Sequence, residues 1–309
     1  MIIDFHTHVY PPKQQAAPAW QGKCPMTIEN VLAAQDRHGV DATVISNHTP
    51  YLRHADFDKI LVDHREINKF LAEQQHQHAG KIYALACSIP NGRDDYLKEL
   101  ERAIKVDGMK GVMIRASHQH VYPDADAAKP FFKLCTDLDV PVVIHPPPVG
   151  YGEEVMNDYR LASSVGRPQD NCLALARLIV RGIFEQFPTL KLVVTHLGGG
   201  ICEVIGRMNY AYTLQEEAFF LGSYEPMLIK HPPLHYLKMC YLDTVCYHLP
   251  AARCIVETVG ADKVVFGTDA PPLTAIKGDG IKMVRDLKLA PADEAKVFSG
   301  NAKKLLKIT

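Results

Sequence analysis

Residues 141–148 read Pro141-Val142-Val143-Ile144-His145-Pro146-Pro147-Pro148. The run is apolar and β-branched without polar alternation, which is typical of a parallel strand covered on both faces. A histidine ends the run, and prolines then stop the strand. Including this one, the chain contains eight predicted strands, which span Ile2–Thr7, Ala42–Asn47, Ile82–Ser88, Met109–Arg115, Pro141–His145, Leu192–His196, Lys238–Thr244 and Val264–Thr268.

Helical patterns fill most of the gaps between these strands. They cover Ile28–His38, Arg65–Ala79, Asp94–Ile104, Lys129–Leu138, Asn171–Phe187 and Pro250–Val259. Alternation of strand and helix from end to end indicates a parallel α/β architecture, and eight such units favour a closed (β/α)8 TIM barrel over an open sheet. We expect one domain over residues 1–309, with long loops after strands five (Pro146–Asp170) and six (Leu197–Leu237).

Composition restricts the class of protein. The chain has 309 residues, of which 47% are hydrophobic and 22% charged, and its formal net charge is −1. No basic excess is present to neutralise phosphates, so we expect no nucleic-acid partner. No basic, apolar leader opens the chain and no run approaches a membrane span, so we expect no membrane association. Eight cysteines without a Cys-x-x-Cys pair predict reduced thiols in a cytoplasmic protein.

The first candidate site lies in Asp4-Phe5-His6-Thr7-His8. Residues i and i+2 of a strand point the same way, so His6 and His8 can hold one ion together. The alternative is a pair of histidines packed in a barrel core, but two ionisable rings buried on one face would be costly without partners.

Three more predicted strands end in a metal-binding or catalytic residue type. His145 ends strand five, His196 ends strand six before a glycine run, and Asp269 follows strand eight. Taken singly, each residue suits a core or capping role. Together they lie at the carboxyl ends of barrel strands, where catalytic groups converge.

Three imidazoles and one carboxylate suit a single Zn²⁺, with Mn²⁺ or Fe²⁺ as alternatives. An open coordination position would hold water and supply hydroxide near neutral pH. A fourth histidine nearby that is not a ligand would act as general base or acid, and His196 is the candidate for this role.

These strand-end residues resemble those of the amidohydrolase superfamily, in particular its branch with 2-amino-3-carboxymuconate-6-semialdehyde decarboxylase and aromatic-acid decarboxylases. The likeness covers nearly the whole chain. Its further motifs are Gly182-Ile183-Phe184-Glu185-Gln186-Phe187-Pro188, Thr195-His196-Leu197-Gly198-Gly199-Gly200 with Gly206-Arg207, Tyr241-Leu242-Asp243-Thr244 with His248, and Ser299-Gly300-Asn301-Ala302-Lys303-Lys304-Leu305. Leu197 departs from the glycine of the family pattern.

The resemblance implies a mononuclear site with the metal on His6, His8, His145 and Asp269. It also implies that His196 activates the metal-bound water or handles a proton. Strand four ends in Arg115 rather than in a lysine, which favours one metal over two.

The resemblance further implies substrate contacts. Arg207 matches a position that reaches into a neighbouring subunit's site, so a homodimer or higher homo-oligomer is expected; an ordinary surface arginine is the alternative. His248 belongs to the strand-seven motif.

From its position at the end of strand four, Arg115 would fork onto a substrate carboxylate or pair with a neighbouring acid. His118 and His120 form a second His-x-His pair after strand four; a solvated loop is the preferred prediction for them, and a place on the rim of the site is the alternative.

Of three functions that the sequence allows, the matches at Gly182–Pro188, His196–Arg207 and His248 favour the first. The first is a metal-dependent decarboxylase, a carbon–carbon lyase, acting on an unsaturated or aromatic carboxylic acid, with His196 and Asp269 managing protons. The second is a metal-dependent hydrolase of a lactone, ester or carbon–carbon bond, or a hydratase, which would use the same ligands. The third is a non-catalytic metal-binding barrel, which would not need His196.

Overall fold

Eight parallel strands form one sheet, ordered β1 to β8 as in the chain. The computed structural model describes residues 1–48, 56–148, 151–214, 225–271 and 276–309. The strands span Ile3–His8, Ala42–Ser46, Ile82–Cys87, Gly111–Arg115, Val142–His145, Leu192–Val194, Tyr241–Asp243 and Val264–Val265. The last strand returns to the first, because Phe5 N donates to Phe266 O at 2.8 Å and His8 N donates to Ala270 O at 3.0 Å. The predicted (β/α)8 barrel is confirmed.

Helices surround the barrel. In chain order α1 to α13 span Pro12–Gln15, Ile28–His38, Phe57–Gln77, Asp94–Lys105, Lys129–Asp137, Arg167–Val180, Ile183–Gln186, Ile201–Thr213, Pro233–Leu237, Leu249–Val259, Ile276–Asp286, Pro291–Ala295 and Asn301–Leu306. Short 3-10 or π turns lie at Pro18–Trp20, Asp126–Ala128, Glu153–Val155, Ala162–Gly166, His196–Gly200, Ala261–Lys263 and Lys296–Gly300. Within the described ranges, no helix has the length and apolar character that a bilayer span requires.

Several predicted boundaries differ from the structure. The strand predicted over Lys238–Thr244 is shorter because α9 occupies the residues just before it. The helix predicted over Asn171–Phe187 is two helices, since Gly182 has a φ of 70° and breaks the helical path. Helix α3 begins eight residues before the predicted Arg65, at Phe57, where the Asp56 carboxylate caps it by accepting from the amides of Asp58 and Lys59.

The two predicted long loops contain helical segments of their own. Residues 146–170 include two short turns, and residues 197–237 include α8 and α9. Residues 149–150 and 215–224 of these segments lie outside the described residues.

The core has two layers. Apolar residues on the outer face of the strands pack against the helices in one large cluster. A second cluster fills the barrel interior, where Phe5, Met113, Val143 and Val265 meet Leu305 of the C-terminal helix α13. Because side chains alternate along a strand, the inward positions after Met113 and Val143 are Arg115 and His145. The packed interior therefore ends in polar residues at the carboxyl ends of the strands.

Candidate metal centre

Four predicted ligands meet at the carboxyl end of the barrel. One donor atom from each of His6, His8, His145 and Asp269 lies within 4.8 Å of all the others. The three imidazoles are 1% exposed, whereas the Asp269 side chain is 25% exposed. The cluster therefore has a buried floor of nitrogen donors and one carboxylate at its open side.

A bulge in β1 places both histidines of that strand in the cluster. Asp4 and Thr7 of β1 pair with Thr43 and Ile45 of β2, so β1 has one residue more than its partner between these pairs. Phe5 packs in the barrel interior, and in a regular strand His6 would then point outward. Because the extra residue reverses the alternation, His6 and His8 also point inward.

Each imidazole is oriented by a hydrogen bond from its outer nitrogen. His6 Nδ1 lies 2.6 Å from Asp243 Oδ2, and His145 Nδ1 lies 2.9 Å from the carbonyl of Pro146. His8 Nδ1 lies 3.1 Å from Ser46 Oγ, whose own proton goes to the Thr7 carbonyl. All three partners accept, so each Nδ1 carries the proton and each Nε2 presents a lone pair to the centre.

The arrangement of these lone pairs fits a cation. His6 Nε2 and His8 Nε2 are 3.2 Å apart, and Asp269 Oδ1 lies 3.2 Å and 2.9 Å from them. His145 Nε2 is buried without a hydrogen-bond partner, which is costly unless something binds there. Three nitrogens and one carboxylate oxygen converging in this way form a site for a single divalent metal ion.

The electrostatics also favour one positive charge at the centre. Burial disfavours a charged His6, but Asp269 and Asp243 outweigh burial and raise the pKa of His6 to about 10. Burial lowers the pKa of His8 to about 4. Burial opposes charge on Asp269 as well, yet His6 and the surrounding imidazoles hold the Asp269 pKa well below its usual range. In the absence of metal, a proton on His6 would therefore occupy the position of the cation.

His196 lies beside the four donors. Its Nε2 is 3.4 Å from Asp269 Oδ2, while its Nδ1 is 2.9 Å from Thr195 Oγ1, which donates its proton to the Ile144 carbonyl. The ring is 16% exposed. His196 and Asp269 both have positive φ, 55° and 59°, and such backbone strain concentrates at functional sites. The His196 ring is therefore held in a fixed orientation next to the metal centre, which suits a general acid or base.

The three predicted substrate contacts differ in their exposure and in their neighbours. Arg115 is partly exposed at the end of β4, and its Nη2 donates to the His48 carbonyl at 3.1 Å. The His48 ring packs 4.0 Å from that of His8, centroid to centroid. By contrast, Arg207 on α8 and His248 before α10 are exposed. The described structure therefore places Arg115 beside a residue that packs on a metal-binding histidine, and exposes the side chains of Arg207 and His248.

Some residues of the site were not assigned from the sequence. Asp243 and Ser46 orient metal-binding imidazoles. Arg167 donates from Nε to the Pro147 carbonyl at 3.2 Å, and its charge acts on Arg115 and His48. Asp243 and Ser46 could have been found from the sequence, because both occupy inward-facing positions in the alternating pattern of β7 and β2.

The prediction of a solvated loop for His118 is wrong, because the residue is 9% exposed and bridges to Val121.

Comparison with known proteins gives the family. The amidohydrolase family profile matches residues 3–308. A 2-amino-3-carboxymuconate-6-semialdehyde decarboxylase from Dictyostelium discoideum is 26% identical over 242 residues, which are 78% of this chain and 65%, just under two thirds, of that protein. A gamma-resorcylate decarboxylase from Polaromonas is 23% identical over 88% of this chain and 85% of that protein. A 2-keto-4-carboxy-3-hexenedioate hydratase from Sphingobium is 24% identical over 90% and 82%.

Solved structures share the fold. The 5-carboxyvanillate decarboxylase from Sphingomonas paucimobilis superposes with a TM-score of 0.86 at 21% identity, over all of this chain and 99% of that one. A dihydroxybenzoic acid decarboxylase from Polaromonas, with bound manganese and the inhibitor 2-nitroresorcinol, gives 0.84 at 22% identity, over 99% and 96%. With the family profile spanning nearly every residue and the strand-end donors in place, this chain belongs to the amidohydrolase family.

Proposed function

We propose that this protein is a metal-dependent decarboxylase, a carbon–carbon lyase, that acts on an unsaturated or aromatic carboxylic acid. The observation that carries the proposal is the pairing of His196 with Asp269 at the edge of the metal centre, beside a cavity that extends from His145 to Arg115. The related decarboxylases of Dictyostelium and Polaromonas support the same class of reaction.

The residues of the site suit the steps of decarboxylation. A divalent ion held by His6, His8, His145 and Asp269 would supply positive charge for a carboxylate and an adjacent oxygen of the substrate. When carbon dioxide leaves, the bonding electron pair stays on the carbon that carried it, and that carbon must gain a proton. Once its ring is protonated, His196 can deliver this proton from Nε2, because it lies at the partly exposed edge of the centre. The ionised Asp269 carboxylate, whose Oδ2 is 3.4 Å from that nitrogen, stabilises the protonated ring.

We infer that zinc is the native metal, since three imidazoles and one carboxylate are common ligands of Zn²⁺. Manganese and iron are the alternatives, and manganese is bound in the related Polaromonas structure. Metal analysis of protein purified without added metal would identify the ion, and restoring turnover to chelator-treated protein with each ion would test it.

The remaining proposals concern the whole chain. We infer a single domain over residues 1–309. We also infer a cytoplasmic location, because the eight cysteines are free thiols, as is usual in a reducing compartment. We also infer a homodimer or higher homo-oligomer in which Arg207, exposed on α8 near Tyr210, reaches a neighbouring subunit's site. His248 would contact substrate only if α10 also faces that site.

The second candidate is a hydrolase or hydratase that uses the same metal centre. The relative from Sphingobium favours it, because a hydratase aligns over 90% of this chain at nearly the same identity as the decarboxylases. In that case His196 would activate water for addition to a double bond or a carbonyl, instead of protonating carbon.

Carbon dioxide release from a panel of acids tests the proposal. The panel contains dihydroxybenzoates, vanillate-type acids and muconate semialdehydes, and Asp269→Asn is measured in parallel. Release that disappears in the variant would support a metal-dependent decarboxylase and begin to identify its substrate. Absence of release from metal-loaded protein across the panel would favour the second candidate, and lactones, esters and unsaturated acids would then be screened for hydrolysis or hydration.

A further inference from the structure

A cavity of about 260 Å³ adjoins the metal centre on the side of β2, β3 and β4. We call it the side chamber; it is lined by His64, Arg115 and His118, with Phe57 and Met113 among its apolar walls and His145 at its junction with the metal centre. Its volume is near the lower end of small-molecule sites, about 300 Å³. Apolar walls with a few polar groups suit the body of a small unsaturated or aromatic compound.

Arg115 brings a positive charge into this chamber without a balancing acid. Among the described residues, its guanidinium donates a hydrogen bond to the His48 carbonyl, and no aspartate or glutamate is among those that line the chamber. Burial lowers the pKa of Arg115 to about 9, which still leaves the guanidinium charged at neutral pH. A partly buried cation with no acidic neighbour is costly unless an anion binds to it.

Two histidines beside Arg115 have buried ring nitrogens without a hydrogen-bond partner among the described residues. The Nδ1 atom of His64 and both ring nitrogens of His118 are buried without a hydrogen bond, and the side chains are 4% and 9% exposed. Burial lowers the pKa of His64 to about 3 and that of His118 to about 4, so both rings are neutral and each can donate one hydrogen bond. Unsatisfied buried donors next to an arginine favour a ligand with several acceptor oxygens.

The strand register sets the distance between this site and the metal centre. Arg115 of β4 and His145 of β5 are register partners, so both side chains lie on the inner face, about 4.8 Å apart at the backbone. A small rigid molecule can therefore reach both groups at once. A carboxylate at the metal centre would leave room for a second one in the side chamber.

We propose that the side chamber binds a second carboxylate of the substrate, through the Arg115 guanidinium and the rings of His64 and His118. The inference rests on the proposed function and narrows it: the substrate would be an unsaturated or aromatic dicarboxylic acid. One carboxylate faces the metal centre and His196, and the other is held by Arg115 as a permanent anchor that is not lost in the reaction.

Binding of unreactive acids tests this without requiring turnover. The probes are benzoate, isophthalate and terephthalate, titrated calorimetrically into metal-loaded protein. We expect the better of the two dicarboxylates to bind at least about tenfold more tightly than benzoate, because a bidentate arginine–carboxylate pair is added. Equal affinity of all three acids for the wild-type protein would overturn the proposal, and this comparison requires no variant.

Variants locate the effect. Arg115→Met should remove the preference for the dicarboxylate while leaving the affinity for benzoate unchanged, and Arg115→Lys should retain part of the preference. Arg285→Met is the control, because it removes an exposed guanidinium on α11 that does not line the chamber, and it should keep the full preference. A dicarboxylate preference that survives in Arg115→Met, or that is lost in Arg285→Met, would overturn the proposal. So would an equal loss of benzoate affinity, because Arg115 would then hold the reacting carboxylate.

The two proposals fail in different ways. Tight, Arg115-dependent binding of a dicarboxylate without carbon dioxide release from any acid would contradict the decarboxylase and keep the side chamber. Carbon dioxide release from monocarboxylic acids that is unaffected by Arg115→Met would contradict the side chamber and keep the decarboxylase.

Discussion

At the scale of single residues, His196 distinguishes catalysis from metal binding. Its Nε2 lies 3.4 Å from Asp269 Oδ2. The other carboxylate oxygen of Asp269, Oδ1, lies instead beside His6 and His8. We predict that His196→Ala keeps metal affinity near the wild-type value and lowers turnover by about 10²- to 10⁴-fold, the usual contribution of a general acid or base. Metal content measured beside turnover checks this.

His6→Ala is the matched control, because it removes a ligand together with its hydrogen bond to Asp243 and should lose both metal and activity. Should His196→Ala lose its metal as fully as His6→Ala, then His196 would be a ligand. An unchanged turnover in His196→Ala would remove it from the reaction.

The sequence predicts these residues because each one ends an apolar run. His6, His8, His145 and Asp269 do meet in the structure. Their orientation could not be predicted, since it depends on partners far along the chain. Asp243 is 237 residues from His6, and it is fixed in turn by the amides of Leu197 and Val245, which donate to its Oδ1.

At the scale of elements, the seam between β1 and β8 determines whether the ligands meet. Asp269 N donates a hydrogen bond to the His6 carbonyl at 2.8 Å. This bond places Asp269, which follows β8, beside the two metal-binding histidines of β1. Gly267 makes this approach possible, because a Cβ at that position would lie 2.8 Å from His6 Cβ. The bulge in β1 and this glycine together position the two histidines of the strand.

We predict that Gly267→Ala displaces His6, weakens metal binding and lowers the free energy of unfolding by about 1–3 kcal/mol, as for other overpacked sites. Gly300→Ala is the control, because its Cβ would find neighbours only at 3.6 Å and beyond and its φ of −58° is helical. Thermal unfolding and metal titration of both variants check the prediction. A Gly267→Ala protein that binds metal like the wild type would contradict this account of the seam.

The number and order of elements could be predicted because parallel barrel strands are continuous apolar runs that alternate with helices. Their ends depend on tertiary contacts. Strand β6 stops at Val194, short of the predicted His196, because His196 adopts a φ of 55° to turn its ring towards Asp269. The bulge in β1 also leaves no local signal, since Asp4, His6 and His8 share the same alternation in the sequence.

At the scale of the whole molecule, Arg207 would work only in an oligomer. It is exposed on α8, where a side chain can reach a neighbouring molecule. If it reaches a partner's site, Arg207→Ala should raise KM for an acidic substrate with little effect on metal binding. At substrate concentrations well below the raised KM, mixing Arg207→Ala with His196→Ala subunits should then give more activity than the two variants give separately, because each mixed dimer has one complete site.

Subunit exchange is confirmed by analytical ultracentrifugation of differently tagged variants. Mixed dimers that form without recovering activity would place Arg207 outside the partner's site. A monomer in solution would remove the reason for assigning Arg207 to substrate.

The buried histidines also make the fold sensitive to acid. Burial lowers the pKa of His64 to about 3 and that of His118 to about 4, from an ordinary value of 6.5. Below pH 6.5 the unfolded chain therefore binds protons that the folded chain does not, so stability falls as the pH decreases. Each such histidine contributes a slope of about 1.4 kcal/mol per pH unit.

We predict that His64→Gln flattens the pH dependence of the free energy of unfolding by about 1.4 kcal/mol per pH unit between pH 6.5 and about pH 4. The amide keeps a polar group in the side chamber without a titrating ring. His120→Gln changes an exposed ring in the loop after β4 and should keep the wild-type slope. Urea denaturation at a series of pH values measures all three proteins, and the difference between them cancels any contribution of the metal centre. Equal slopes for His64→Gln and the wild type would mean that acid opens the side chamber before the barrel unfolds, so that His64 meets water in both states.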